Sequence, residues 1–228
     1  MTQVGVSAPP AVRGPHTAAA IATLELALCA AAVLFDLLLP TLLILAIATV
    51  SLRVRRRRFA DLGFHRPASP GRLVAITIAL TVAWTALQLG LFLPILEHLT
   101  GEHQDVSGFT DVEGNAGLLA ALLIASWTLA ALGEETAFRG FLPARAGDVI
   151  GRSAPAIALA AVLSAALFGA AHTEQGTIGV AATFLDGLFF SALSLRLGTL
   201  WAPVLAHGLN NTIGLTAYFL VGPITGLW

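Results

Sequence analysis

Three short polar patterns interrupt an otherwise apolar chain. Glu134, Glu135 and Arg139 form E-E-x-x-x-R, Phe168 and His172 form F-x-x-x-H, and His207 and Asn211 form H-x-x-x-N. An ionisable side chain in hydrocarbon costs roughly 2.5–3.5 kcal/mol on insertion scales, so such groups persist where they pair or do chemistry. At helical spacing Glu135 and Arg139 lie one turn apart and can pair. Glu134 projects about 100° away and is left for another task. His207 and Asn211 share one helix face. A glutamate, two histidines and an amide around one wet cavity suit hydrolysis. The glutamate would act as a general base toward water. One histidine would orient that water, and the other histidine and the amide would stabilise an oxyanion. Alternatively, Glu134, His172 and His207 could hold a zinc ion that polarises the water, since two histidines and a carboxylate are legitimate zinc ligands. The residues by themselves leave both routes open.

Each pattern also has a plainer reading. Glu135 and Arg139 can be a salt-bridged helix end, His172 an interfacial histidine, and His207 with Asn211 interhelical hydrogen-bonding glue. Asp186, alone in the middle of an apolar run, can pair with Arg139 or bear on function.

The elements that must position these groups are membrane helices. The 228 residues are 57% hydrophobic and 11% charged, with mean hydropathy +0.84; globular domains carry about 25% charged residues. Several apolar runs exceed the ~18 residues that suggest a span. The chain therefore reads as an all-α, polytopic transmembrane bundle of about 6–7 spans, with nothing that reads as strand. Residues 1–16, with Pro9, Pro10 and Pro15, read as a disordered tail, and residues 17–228 as a single membrane domain. Cys29 is the one cysteine, which rules out an intrachain disulfide.

Residues 17–52 are too long for one straight crossing of a ~30 Å core. Asp36 and Pro40 mark either a kink or a tight hairpin. Arg53 and Arg55 to Arg58 follow at once, a juxtamembrane cluster of the kind held on the cytoplasmic side. It is too short and too close to a span for nucleic acid, and suits anionic lipid. Further spans are expected over 73–96, from 116 to about 145, from 153 to 172, over 177–197 and over 202–221. Residues 101–114 carry Glu102, Asp105, Asp111 and Glu113 with no Lys or Arg, and are expected to face outward. Counted along α-helices from the basic ends, Glu134 lies ~20 Å deep, His207 ~10 Å and Asn211 ~15 Å. The site is thus expected in the cytoplasmic half, with His172, ~30 Å along its own helix, joining from below.

Other intramembrane protease patterns are absent: there is no H-E-x-x-H, no G-x-S-x-G and no paired-aspartate signature. The three patterns present, in this order on successive membrane helices, resemble the CAAX-protease and bacteriocin-processing family of intramembrane proteases, which includes the type II CAAX prenyl endopeptidases. Residues 60–64, Ala-Asp-Leu-Gly-Phe, and 200–207, Leu-Trp-Ala-Pro-Val-Leu-Ala-His, add to the likeness. It covers about residues 61–212. The resemblance implies a multi-pass cell-membrane endopeptidase that cleaves a membrane-associated peptide or protein near the cytoplasmic face. It carries the base onto Glu134, water orientation onto His172 and oxyanion contacts onto His207 and Asn211. Glu135, Arg139 and Phe168 would support them. It implies a glutamate-activated water, with or without zinc. Bacterial members of the family are associated with bacteriocin maturation and immunity. Two other classes compete: a non-enzymatic membrane immunity or scaffold protein that keeps the patterns for folding, and a small transporter, against which the lack of an inverted repeat counts.

Overall fold

The computed structural model describes residues 15–224. The tail expected over residues 1–16 lies outside the described residues up to residue 14, and Pro15 and His16 already belong to the first helix. That helix, α1, spans Pro15–Leu34, and α2 spans Pro40–Val54. Between them Asp36 and Leu38 adopt φ of 46° and 57°, a left-handed backbone that turns the chain sharply. Pro40 then opens α2, where its missing N–H costs nothing. The run is therefore a hairpin rather than one kinked helix.

Helix α3, Pro70–Thr100, is α-helical except for one π-helical turn at Gln88–Phe92. Helix α4, Ala116–Ile150, is the central rod. Its middle, Ser126–Phe141, is π-helical, where the expectation was a regular α-helix. Helix α5 is Ala154–Ala170, with the Ser153 hydroxyl capping the Ala156 N–H and Pro155 in its first turn. It ends two residues before His172, and its 17 residues rise ~25 Å, less than the ~30 Å expected. Helix α6 is Gly176–Leu197 and α7 is Trp201–Val221. There is no strand among the described residues, and the fold is an all-α membrane bundle. The helical stretches His16–Leu34, Pro70–Thr100, Ala116–Ile150 and Thr173–Leu197 are long and apolar enough to cross a membrane; α2 and α5 are shorter apolar helices.

The two ends of the bundle differ in charge. At one end Arg55 bonds Glu25 at 3.2 Å, while Arg145 and Arg152 hold Asp148 at 3.0 and 3.1 Å. Arg53, Arg56, Arg57, Arg58, Arg66, Arg72 and Arg196 sit at the same end by chain order, which makes it the basic end. The opposite end carries the 101–115 connection and Glu174.

The core lies against α4. Phe138 and Phe141 of α4 pack with Phe168 of α5, Phe190 of α6, Ile44 and Ala48 of α2, and Ala202 and Ala206 of α7. Helices α5 and α6 approach most closely through small residues, as helices do where lipid gives no hydrophobic drive to association. A Cβ on Gly187 would lie 2.9 Å from both Cα and Cβ of Ala165, and one on Gly169 2.8 Å from the Val180 carbonyl. Gly187→Ala is therefore expected to destabilise the bundle by about 1–3 kcal/mol through overpacking. Gly71→Ala, where an added Cβ meets nothing within 4 Å, should leave thermal unfolding in detergent unchanged. Equal unfolding temperatures for the two variants would contradict the packing described.

Candidate active site

The π-helical stretch of α4 presents Glu134, Glu135 and Arg139 to three neighbouring helices. Glu135 is fully buried. Its Oε1 accepts from Arg139 Nη1 at 3.1 Å and meets Nδ1 of His207 at 2.8 Å. Against a carboxylate, that nitrogen must carry the proton and donate it. His207 Nε2 then points at Glu134, 3.9 Å from its Oε2. One imidazole on α7 is thus held between two adjacent acids on α4.

Aromatic rings fix this group from the sides. His207 stacks on Phe190, centroids 5.0 Å apart and 15° between planes, and meets the edge of Phe168 at 5.9 Å. The Arg139 guanidinium lies over the Phe168 ring at 4.1 Å, an attraction that strengthens away from water. Phe168 also packs on His172, at 5.0 Å between centroids. His172 follows α5 directly, and its Nδ1 is 2.8 Å from the Phe168 carbonyl. A carbonyl only accepts, so Nδ1 is the protonated nitrogen and Nε2 of His172 keeps its lone pair.

Glu134, His172, His207 and Asn211 all line one cavity of about 480 Å³. The four groups that the sequence singles out therefore meet. Glu134 lies near the middle of α4, and the cavity runs from it to the acidic end, past Gln104, Val106, Phe109, Gln175 and Tyr218. Counting residues from the basic end gives a depth, but not the side on which the helices part.

The family model described as type II CAAX prenyl endopeptidase Rce1-like matches residues 116–213. Over that stretch the chain is similar to the Rce1-like family. At the level of the family, the match implies endopeptidase activity of the CAAX type. No curated protein and no solved structure matches the chain.

The Rce1-like segment does not build the cavity alone. From α3, outside the match, Thr85, Gln88, Leu89 and Leu93 form one wall. Trp84 of α3 donates its indole N–H to Asp186 Oδ1 at 2.6 Å, and the Thr85 hydroxyl bonds Asn210 Oδ1 at 2.8 Å. Asp186 lines the same cavity, so the partner that the sequence leaves open is Trp84. A lone acid in mid-span is a sequence signal; nothing in the sequence marks Trp84, Thr85 or Gln88.

The donors can also be tested against zinc. Both histidines have Nδ1 held by an oxygen and Nε2 free, the arrangement of metal-ligating imidazoles. The side chains as placed do not complete a ligand set: among the described residues no group of three or more His, Cys, Asp or Glu is gathered so as to hold a metal ion.

Proposed function

We propose that the chain hydrolyses a peptide bond of a membrane-associated peptide or protein, with Glu134 as the base that activates water. The observation that carries this reading is His207, fixed through Nδ1 by Glu135 and facing Glu134 with Nε2 inside a cavity. The Glu134 Oε2 atom is buried with no hydrogen-bond partner, which suits an oxygen kept for a reacting molecule. The nucleophilic water donates one hydrogen to Glu134 and the other to the His172 Nε2 lone pair. Its oxygen bonds the scissile carbonyl carbon as Glu134 takes the first proton. The Asn211 amide N–H donates to the oxyanion. His207, held at Nδ1 by Glu135, turns Nε2 toward the same oxyanion and donates there when that nitrogen carries a proton. When the carbon–nitrogen bond breaks, Glu134 returns its proton to the leaving amine. Arg139 neutralises Glu135, and Phe168 holds both His172 and Arg139 in place.

The test is cleavage by purified protein in proteoliposomes. Membrane-anchored peptides are supplied, and internal cuts are read by mass spectrometry before and after metal is stripped with a chelator. Cuts that continue at the same rate support the water-only route. Loss of cutting that zinc restores assigns Glu134, His172 and His207 to the ion. No cut under either condition removes the protease reading and favours the non-enzymatic membrane factor.

A further inference from the structure

The cavity and the charge of the bundle point in opposite directions. Every arginine of the described residues except Arg139 lies at or beside the basic end, and the chain has no lysine. Short connections rich in arginine are retained in the cytoplasm, and it is Lys and Arg rather than acids that set orientation. The basic end is therefore the cytoplasmic one.

On that side the site is sealed. Phe138, Phe141, Leu142, Phe168, Phe190 and Ala206 are buried together. Nearer the basic end, Leu62 and Leu200 close over Gly140, so that an added Cβ there would sit 3.2 and 3.1 Å from them. The Leu200 N–H bonds the Gly63 carbonyl at 2.9 Å, which pins one basic-end connection to another. A small cavity of about 120 Å³ at this end reaches Arg139, but none of Glu134, His172, His207 or Asn211 lines it.

At the acidic end the large cavity has a built rim. The Asp105 N–H bonds the Gln175 carbonyl at 2.9 Å, and the Gln104 amide bonds the Gln175 side chain at 2.8 Å. The Gly114 N–H bonds the Phe219 carbonyl at 3.1 Å, and Phe109 packs on Tyr218. These contacts tie the 101–115 connection to both the α5–α6 turn and the end of α7, around the opening.

We infer that the peptide enters from the non-cytoplasmic face of the membrane. The substrate class is then a segment displayed on that face, either an exported membrane-anchored peptide or the outward end of a transmembrane helix. A cytoplasmic tail would meet the sealed end. The word substrate rests on the function proposed above; the direction of the opening stands without it.

Single-cysteine labelling tests the direction without using activity. In a Cys29→Ala background, Gly108→Cys marks the rim connection, where an added Cβ meets nothing within 4 Å. Ser69→Cys marks the exposed basic-end connection, where the serine side chain makes no cap bond. Intact bacterial cells expressing each variant are treated with a membrane-impermeant maleimide. Gly108→Cys is expected to label fully in intact cells, and Ser69→Cys to label after permeabilisation and not before. The reverse pattern overturns the inference. In proteoliposomes sorted by the same labels, a membrane-anchored peptide should be cut when offered from the Gly108 side. Cutting solely from the Ser69 side also overturns the inference. If the labels fall as expected and neither side is cut, the orientation holds and the protease reading is what fails.

Discussion

Glu134→Gln is expected to slow peptide cleavage by about 10²–10⁴-fold while the bundle stays folded. Glutamine keeps the length and shape of the side chain but cannot take a proton from water. Removing a positioned base costs about 10²–10⁴-fold in rate, and the loss should appear in kcat with little change in KM, since the base acts on water rather than on the peptide. Stability should barely move. The Glu134 Oε2 atom has no hydrogen-bond partner, and His207 Nε2 is 3.9 Å away, too far for a direct bond. The exchange therefore breaks no hydrogen bond of that oxygen. The check is a cleavage rate beside a detergent melting curve for both proteins. A variant that cuts at the wild-type rate would remove Glu134 from the chemistry, and one that melts early would make it a structural residue.

The site was legible in part, and the limits are physical. The spacing of Glu135 and Arg139 announces a pair on one helix face, and they do pair at 3.1 Å. His207 and Asn211, four residues apart, both reach the cavity. The bond from His207 to Glu135 is different. It joins residues 72 apart and exists because α7 lies against the π-helical part of α4. No local sequence signal encodes that packing, and none marks the widened helix itself, whose residues fit an α-helix equally well. The same holds for Trp84 and Asp186, 102 residues apart. The hairpin between α1 and α2 was half legible: Asp36 and Pro40 mark a break, but the left-handed φ of Leu38 that completes the turn is imposed by the path of the chain. Charge placement separates basic connections from an acidic one, and the helices carry them to opposite ends of the bundle. Which end the helices open toward depends on side-chain packing across α3, α4 and α7, and composition carries no trace of it.

Glu135 is expected to separate folding from catalysis. Its carboxylate serves two partners at once, Arg139 at 3.1 Å and His207 at 2.8 Å, and is fully buried. Glu135→Ala leaves the Arg139 guanidinium, itself 6% exposed, without its counter-charge. Breaking a buried pair from one side costs about 3–5 kcal/mol, so this single change should lower the unfolding midpoint sharply. Replacing both members, Glu135→Ala with Arg139→Leu, removes the stranded charge, and the double variant should be more stable than Glu135→Ala alone; neighbours that share one ion pair do not add. Activity should not follow stability. The double variant still lacks the acceptor that fixes Nδ1 of His207, so its imidazole can turn away from Glu134 and the cavity. Cleavage by the refolded double variant should stay as low as in Glu135→Ala, with kcat reduced and peptide binding retained. A double variant that recovers both stability and cleavage would show that Glu135 merely neutralises Arg139, and that His207 is oriented by Phe190 and Phe168 alone.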